Sequence, residues 1–206
     1  MSVLHEIGVK LLSYVSEALG MMGDRNLECW HRGDMRSTTA LAMLRYLPNG
    51  ISGDKIGHMA HTDVGSLTIL FSFTNGLQVF QPHSNVWANV RPRAGHAVVN
   101  VGDSLSFLSN GVLRSSLHRV VPHIDNQYKS RYSIAYFLRP EEDVQFRDAE
   151  GRLWKSQEWH VFKYAIFRAP VSEQLASSVL TGKKGFVGHW EPSQSVIVDG
   201  ADGTPS

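Results

Sequence analysis

Two histidines and an aspartate set the first chemical constraint. His61 and Asp63 are two residues apart in His61-Thr62-Asp63, inside a stretch rich in strand formers. In a strand, residues i and i+2 point to the same face, roughly 6–7 Å apart between Cα atoms. An imidazole and a carboxylate so placed can reach one ion. His118 follows 55 residues after Asp63, enough chain to leave the first strand and return beside it. Two histidines and one carboxylate on one side of a metal leave three positions open and suit non-haem iron(II). Zinc is a rival on ligand type alone. Further on, Arg131 and Ser133 are again two apart on a predicted strand. A guanidinium binds a carboxylate through two parallel hydrogen bonds and a hydroxyl adds a third donor. That pair suits a ligand bearing a carboxylate.

These residues need a rigid β scaffold, and the pattern supplies one. Ala40 to Leu47 reads as a strand that stops at Pro48-Asn49-Gly50. Ile56–Asp63, Ser66–Phe73, Leu77–Gln81, Val86–Val90, Ala97–Val101, Leu105–Ser109, Val112–Val121 and Arg131–Leu138 follow, separated by Gly, Asn, Pro and Ser. Eight or nine short strands at this spacing predict a mainly β sandwich or jelly roll. Helices flank it. Leu4, Ile7, Leu11, Leu12, Val15, Ala18 and Leu19 recur at three and four, which predicts a helix over Val3–Leu19 between Ser2 and Gly20. Met21–Thr39 reads as loop with one short helix. After Pro140, the run Glu141-Glu142-Asp143 reads as a solvated loop, Val144–Leu153 as a hairpin, Trp154–Phe167 as a helix with core-facing aromatics, and Val171–Leu180 as another. Glu191–Ser206 is polar and expected to be loose.

Other polar residues receive plainer readings. His58, three before His61, points away from the ligand face if the strand is regular. His83, His96 and His123 fall in turns or loops. Asp103, next to Gly102, is expected to fix a turn by bonding nearby backbone. Cys29 reads as a small buried hydrophobe.

A chain of 206 residues is expected to form one domain: a helical lead-in over 1–40, a core over 41–140, and helices and a tail over 141–206. A net charge of +1 gives no reason to expect nucleic acid or an anionic membrane as partner. No apolar run is long enough for a membrane span. Glu6, Lys10 and Glu17 break up the start, so no secretory segment is read there. A single cysteine excludes an internal disulfide and suits a reducing compartment. The expectation is a cytoplasmic monomer with a small-molecule substrate.

The wider pattern carries a family resemblance. Gly65-Ser66-Leu67-Thr68-Ile69-Leu70 follows the His-x-Asp directly. Then come Gly76-Leu77-Gln78-Val79, Asn100-Val101-Gly102-Asp103, Ser109-Asn110-Gly111, His118-Arg119-Val120 and Arg131-x-Ser133. In this order and spacing, over roughly Leu41–Pro140, the chain resembles the isopenicillin N synthase-like branch of the 2-oxoglutarate/Fe(II)-dependent dioxygenases. That resemblance implies a cupin-like jelly roll, the double-stranded β-helix. It implies Fe(II) on His61, Asp63 and His118, and 2-oxoglutarate held by Arg131 and Ser133. Tyr46 matches a tyrosine that reaches a carboxylate, although Leu44 stands where the family often has Asn. Asn100 matches an asparagine near the metal. The implied activity is that of an oxidoreductase in secondary metabolism. With O2 it would hydroxylate, desaturate or otherwise oxidise a small organic molecule, releasing succinate and CO2. Two alternatives stay open: an oxidase of the same fold that uses no 2-oxoglutarate, and a shortened non-catalytic relative. Members usually carry a longer region before the core, so the metal site is expected to be complete and the substrate side thinly covered.

Overall fold

The structure is a computed structural model that describes residues 2–47, 58–121 and 129–181. Helix α1 runs over Ser2–Ala18 and buries Gly8, Leu12 and Ser16, one face at four-residue spacing. It ends in a reverse turn. Gly20 takes φ +65, its N–H donates to Glu17 O at 3.0 Å, and Met21 N–H donates to Ser16 O at 2.9 Å. This is the Schellman pattern, whose left-handed position favours glycine. Two short 3-10 turns, Gly23–Arg25 and Leu27–Trp30, replace the single short helix expected there. Cys29 on the second turn is exposed rather than buried.

Eight strands build the core: β1 (Ala40–Tyr46), β2 (His58–His61), β3 (Leu67–Ser72), β4 (Leu77–Gln81), β5 (Val86–Asn89), β6 (Val98–Val101), β7 (His118–Val120) and β8 (Arg131–Leu138). They form two antiparallel sheets, ordered β1-β8-β3-β6 and β2-β7-β4-β5. The pairings β4–β5, β2–β7, β3–β6 and β1–β8 are those of one long hairpin wound upon itself, which is the expected double-stranded β-helix.

Strand alternation then sorts the side chains. On the first sheet, Leu67, Ile69, Tyr136 and Leu138 face outward and meet Leu12 of α1, Leu27, Trp154 and Trp159 in the main apolar core. Residues one step along, Tyr46, Thr68, Asn100, Arg131 and Ser133, face the space between the sheets. On the second sheet, Phe80, Trp87, Leu117 and Ala60 form a smaller outer cluster. Its inward positions include Leu77, Val79, His118 and Val120. The main apolar cores thus lie outside the barrel, and the interior combines polar groups with an apolar wall.

Several boundaries differ from the sequence reading. Leu105–Ser109 is no strand: helix α2 spans Asp103–Leu108. Leu105 and Leu108 are buried three apart, a helical spacing that a short apolar run cannot distinguish from a strand. The strand expected over Val112–Val121 shrinks to His118–Val120. Asn110 (φ 50) and Gly111 (φ 77) turn the chain, and Leu113 N–H is tied back to Ser109 Oγ at 3.1 Å.

Beyond the barrel, β9 (Gln145–Arg147) pairs with β10 (Leu153–Lys155), helix α3 covers Ser156–Arg168, and α4 only Val171–Ala176. α3 starts later than expected because Trp154 and Lys155 pair with Phe146 and Gln145. The acidic run is not wholly solvated either. Glu141 is buried and accepts from Arg32 Nε at 2.7 Å. The Pro48 turn, His123 and the tail from Glu191 lie outside the described residues. Among the described residues, no helix is long and apolar enough to cross a membrane.

Candidate functional site

His61 and His118 are direct cross-strand partners on β2 and β7. That register explains how the chain after His61 returns the second imidazole beside the first. β2 ends at His61, so Asp63 lies just past the strand rather than within it. The backbone stays in place because Thr62 N–H donates to Leu180 O at 2.7 Å and Asp103 N–H donates to Asp63 O at 2.8 Å. Gly102 is needed for the second contact. A Cβ there would lie 2.3 Å from Gly65 O and 3.0 Å from Asp63 O.

The three side chains converge. Asp63 Oδ1 is 3.8 Å from His61 Nε2 and 3.8 Å from His118 Nε2. Donor atoms of all three lie within 4.8 Å of one another, and among the described residues they are the group that can share an ion. Bonds of about 2.1 Å at angles of 90–109° put donors roughly 3.0–3.4 Å apart. The two carboxylate–imidazole separations, 3.8 Å each, therefore need contract by only roughly 0.4–0.8 Å to suit one cation. The protonation pattern also fits. His61 Nδ1 donates to Met59 O at 2.7 Å and His118 Nδ1 to Ser116 O at 2.9 Å. Both protons are thereby assigned to Nδ1, leaving each Nε2 lone pair aimed at the centre. Burial, with His58 and His118 nearby, holds the His61 imidazole well below its ordinary pKa. Burial alone would raise the Asp63 carboxyl, but His118 and hydrogen bonds from Thr68 and Asn100 outweigh it and lower the pKa. A neutral imidazole and an ionised carboxylate are what a metal requires.

Asp63 Oδ2, turned away from the histidines, accepts from Thr68 Oγ1 at 2.7 Å and from Asn100 Nδ2 at 2.8 Å. Thr68 and Asn100 face each other across β3 and β6. Asn100, expected near the metal, thus donates to the Asp63 carboxylate, and Thr68 is a residue that sequence reasoning missed. Its signal was a hydroxyl on the inward-facing alternation of an otherwise apolar strand. Thr68→Val and Asn100→Ala should each weaken metal binding roughly 10–100-fold, as loss of such supporting bonds does. Anaerobic Fe(II) titration checks this. Unchanged affinity in both variants would mean that Asp63 is held by its backbone alone.

Further along the interior, Arg131 and Ser133 stand on β8, both buried. Arg131 Nη2 donates to Ser72 Oγ at 2.9 Å and Nε to Asn75 O at 3.2 Å. Its Nη1 and the Ser133 Oγ are buried without a hydrogen-bond partner. No carboxylate among the described residues pairs with this guanidinium, and burial lowers its pKa. Tyr46, opposite Arg131 in the β1–β8 register, places its ring centre 5.0 Å from the guanidinium carbon. Burial raises the phenol's pKa while the Arg131 charge opposes it. All seven predicted residues line one cavity: Tyr46, His61, Asp63, Asn100, His118, Arg131 and Ser133.

Two readings are corrected here. His58 does not point away. The β2–β7 register shifts between His58 and His61, so three residues on one strand span two on the other. Such a bulge reverses the alternation, and the His58 ring lies 4.2 Å from that of His61, on the cavity wall. Asp103 does not spend its side chain on its own turn. It accepts from Lys163 Nζ of α3 at 2.5 Å. Phe167 of the same helix stands edge-on to His61 at 5.3 Å between ring centres.

The family model of the 2OG-Fe(II) oxygenase superfamily matches residues 37–140. The chain is 45% identical over 181 residues to the 2-oxoglutarate-dependent dioxygenase iboH of Amanita muscaria, covering 86% of this chain and 87% of that protein. It is 43% identical over 179 residues to the 2-oxoglutarate-dependent dioxygenase gloE of Glarea lozoyensis, covering 87% of this chain and 54% of the relative. Among solved structures, that of a full-length Neurospora crassa protein in complex with alpha-KG superposes with a TM-score of 0.67 at 26% identity, over 79% of this chain and 54% of that one. The chain therefore spans about half the length of these last two proteins.

Proposed function

We propose, for a chain that belongs to the 2OG-Fe(II) oxygenase superfamily, that the barrel interior binds Fe(II) and 2-oxoglutarate and uses O2 to oxidise a small organic molecule. His61, Asp63 and His118 are the residues to hold the metal, and Arg131 with Ser133 the residues to hold the far carboxylate of 2-oxoglutarate. When bound, Fe(II) with 2-oxoglutarate would supply the oxidation, in which O2 takes two electrons from 2-oxoglutarate, released as succinate and CO2, and two from a C–H bond of the substrate.

The chain's own residues do the positioning. The Nδ1–H bonds of His61 and His118 fix both rings, and Thr68 with Asn100 fixes the Asp63 carboxylate. Arg131 offers Nη1 and Ser133 its hydroxyl, both buried without a hydrogen-bond partner, beside the Tyr46 phenol. An unpaired buried cation is costly, and an incoming carboxylate relieves that cost with charge-assisted bonds. Leu44, Leu70, Leu77, Val79, Val98, Val120 and Phe137 make up the apolar wall and limit water around the reacting groups. Fungal relatives named as 2-oxoglutarate-dependent dioxygenases support a role in secondary metabolism.

The observation that carries this reading is the pairing within one cavity of a correctly protonated three-donor set and a buried arginine that no carboxylate among the described residues neutralises. Anaerobic titration with Fe(II) and then 2-oxoglutarate tests it. The expected result is a visible charge-transfer band that needs both additions. Iron binding with no band on adding 2-oxoglutarate would favour the oxidase reading, with Arg131 and Ser133 then binding a carboxylate of the substrate itself.

A further inference from the structure

We infer that Lys163 and Asp103 are a positioning pair for the candidate metal ligands, acting from behind the site through the hydroxyl of Thr62. The inference rests on the metal-site reading given above and adds to it the residues that hold the ligand segment in shape.

Lys163 is completely buried, at 0% exposure, on the face of α3 that also buries Ser156 and Trp159. Its Nζ donates to Asp103 Oδ2 at 2.5 Å and to Thr62 Oγ1 at 2.7 Å. Thr62, 1% exposed, is the middle residue of His61-Thr62-Asp63. Along an extended segment its side chain points opposite to those of its neighbours. The ligand segment is therefore gripped on its far side while His61 and Asp63 face the cavity. The segment needs such a grip because Asp63 lies beyond the β2 ladder. One lysine joins three separate pieces of chain: α3, the first residue of α2, and the ligand segment. The same Asp103 reaches Asp63 O through its own N–H at 2.8 Å. Lys163 thus holds Thr62 directly and holds the side chain of the residue whose N–H bonds the Asp63 carbonyl.

Stability is a poor reason for placing such a pair here. A buried ion pair gives little net stability, and apolar residues of similar volume often replace it without loss. What an ammonium adds is direction. Its donors fix two acceptors at hydrogen-bond length, and ligand affinity depends on such outer contacts.

The test uses the full 206-residue chain with Co(II) as a visible probe, followed by anaerobic Fe(II). Thr62→Val keeps the shape and the ion pair but removes the hydroxyl, and with it the link to Lys163 and a longer bond to Leu180 O at 3.4 Å. Thr62→Ser keeps the hydroxyl and removes the methyl. Lys163→Met with Asp103→Leu removes both charges together and leaves neither unpaired. Thr62→Val and the double variant should unfold cooperatively yet bind Co(II) roughly 10–100-fold more weakly, with a shifted visible spectrum. Thr62→Ser should restore wild-type affinity and spectrum. If packing were the only role, the order would reverse, with Thr62→Ser the more damaged of the two and Thr62→Val normal. That order, or wild-type metal binding in a folded double variant, overturns the inference while leaving the metal reading intact. A wild type that binds neither ion overturns both.

Discussion

Asp63→Ala should lose iron binding and turnover while remaining folded. Asp63 is the charged member of the donor set, and its Oδ1 faces both imidazoles at 3.8 Å. Without it, two neutral nitrogens remain, too few to anchor Fe(II) in a site meant to leave three positions open. The loss should exceed the roughly 10–100-fold expected of a supporting residue, and no oxidation should be measurable. The fold should survive because the main apolar cores lie on the outer faces of the sheets. Some destabilisation is still expected. Thr68 Oγ1 and Asn100 Nδ2 both lose their acceptor, at about 1–3 kcal/mol for each buried group left unsatisfied. Asp63→Asn should be milder for stability and nearly as harmful for iron, since an amide oxygen can still accept but carries no charge. Metal titration and thermal unfolding, run side by side, check this. An unfolded Asp63→Ala beside a folded, metal-free wild type would show that the carboxylate serves the fold and not an ion.

The parts of this site that could be read from sequence were those governed by strand periodicity. Arg131 and Ser133 share a face because β8 is a regular strand over the length expected, Arg131–Leu138. Leu77–Gln81 was also legible, since Gly and Asn on one side and Pro on the other bracket a short alternating run. Where alternation broke, the reading broke with it. The bulge between His58 and His61 put a third histidine on the cavity wall, and nothing in the residue types marks where a strand gains a residue. Leu105–Ser109 was ambiguous in principle, since a short apolar run suits a strand or a helical turn until tertiary contacts decide. Lys163 lies four residues after Trp159 and four before Phe167, a charge on the stripe read as apolar. Its partner Asp103 is 60 residues away in sequence, a pairing that local reasoning cannot supply. Long-range partners of polar groups, rather than the groups themselves, were the missing information.

Arg131 separates the two enzyme readings. If 2-oxoglutarate is the cosubstrate, its far carboxylate enters a buried space where Arg131 is 6% exposed and Ser133 2%. Nε and one N–H of Nη2 are already committed to Asn75 O and Ser72 Oγ, so Nη1, the second N–H of Nη2 and the Ser133 hydroxyl are the donors left for the ligand. Removing one partner of a buried charge pair typically costs about 3–5 kcal/mol, roughly two to three and a half powers of ten in affinity. Arg131→Met should therefore weaken 2-oxoglutarate binding by that factor. Arg131→Lys should recover only part of it, because an ammonium lacks the planar fork and would have to give up the Ser72 and Asn75 contacts to reach the ligand. Ser133→Ala should lose less, about 1.5–3 kcal/mol for a bond to a charged group. Fe(II) affinity in the absence of 2-oxoglutarate should be nearly unchanged in all three, since Arg131 and Ser133 are not among the three residues whose donor atoms could share an ion. The measurement is the apparent Kd for 2-oxoglutarate at saturating Fe(II), in wild type and each variant. Equal constants throughout would mean that the buried guanidinium serves another anion, and the chain would then be read as an oxidase whose substrate brings its own carboxylate to Arg131.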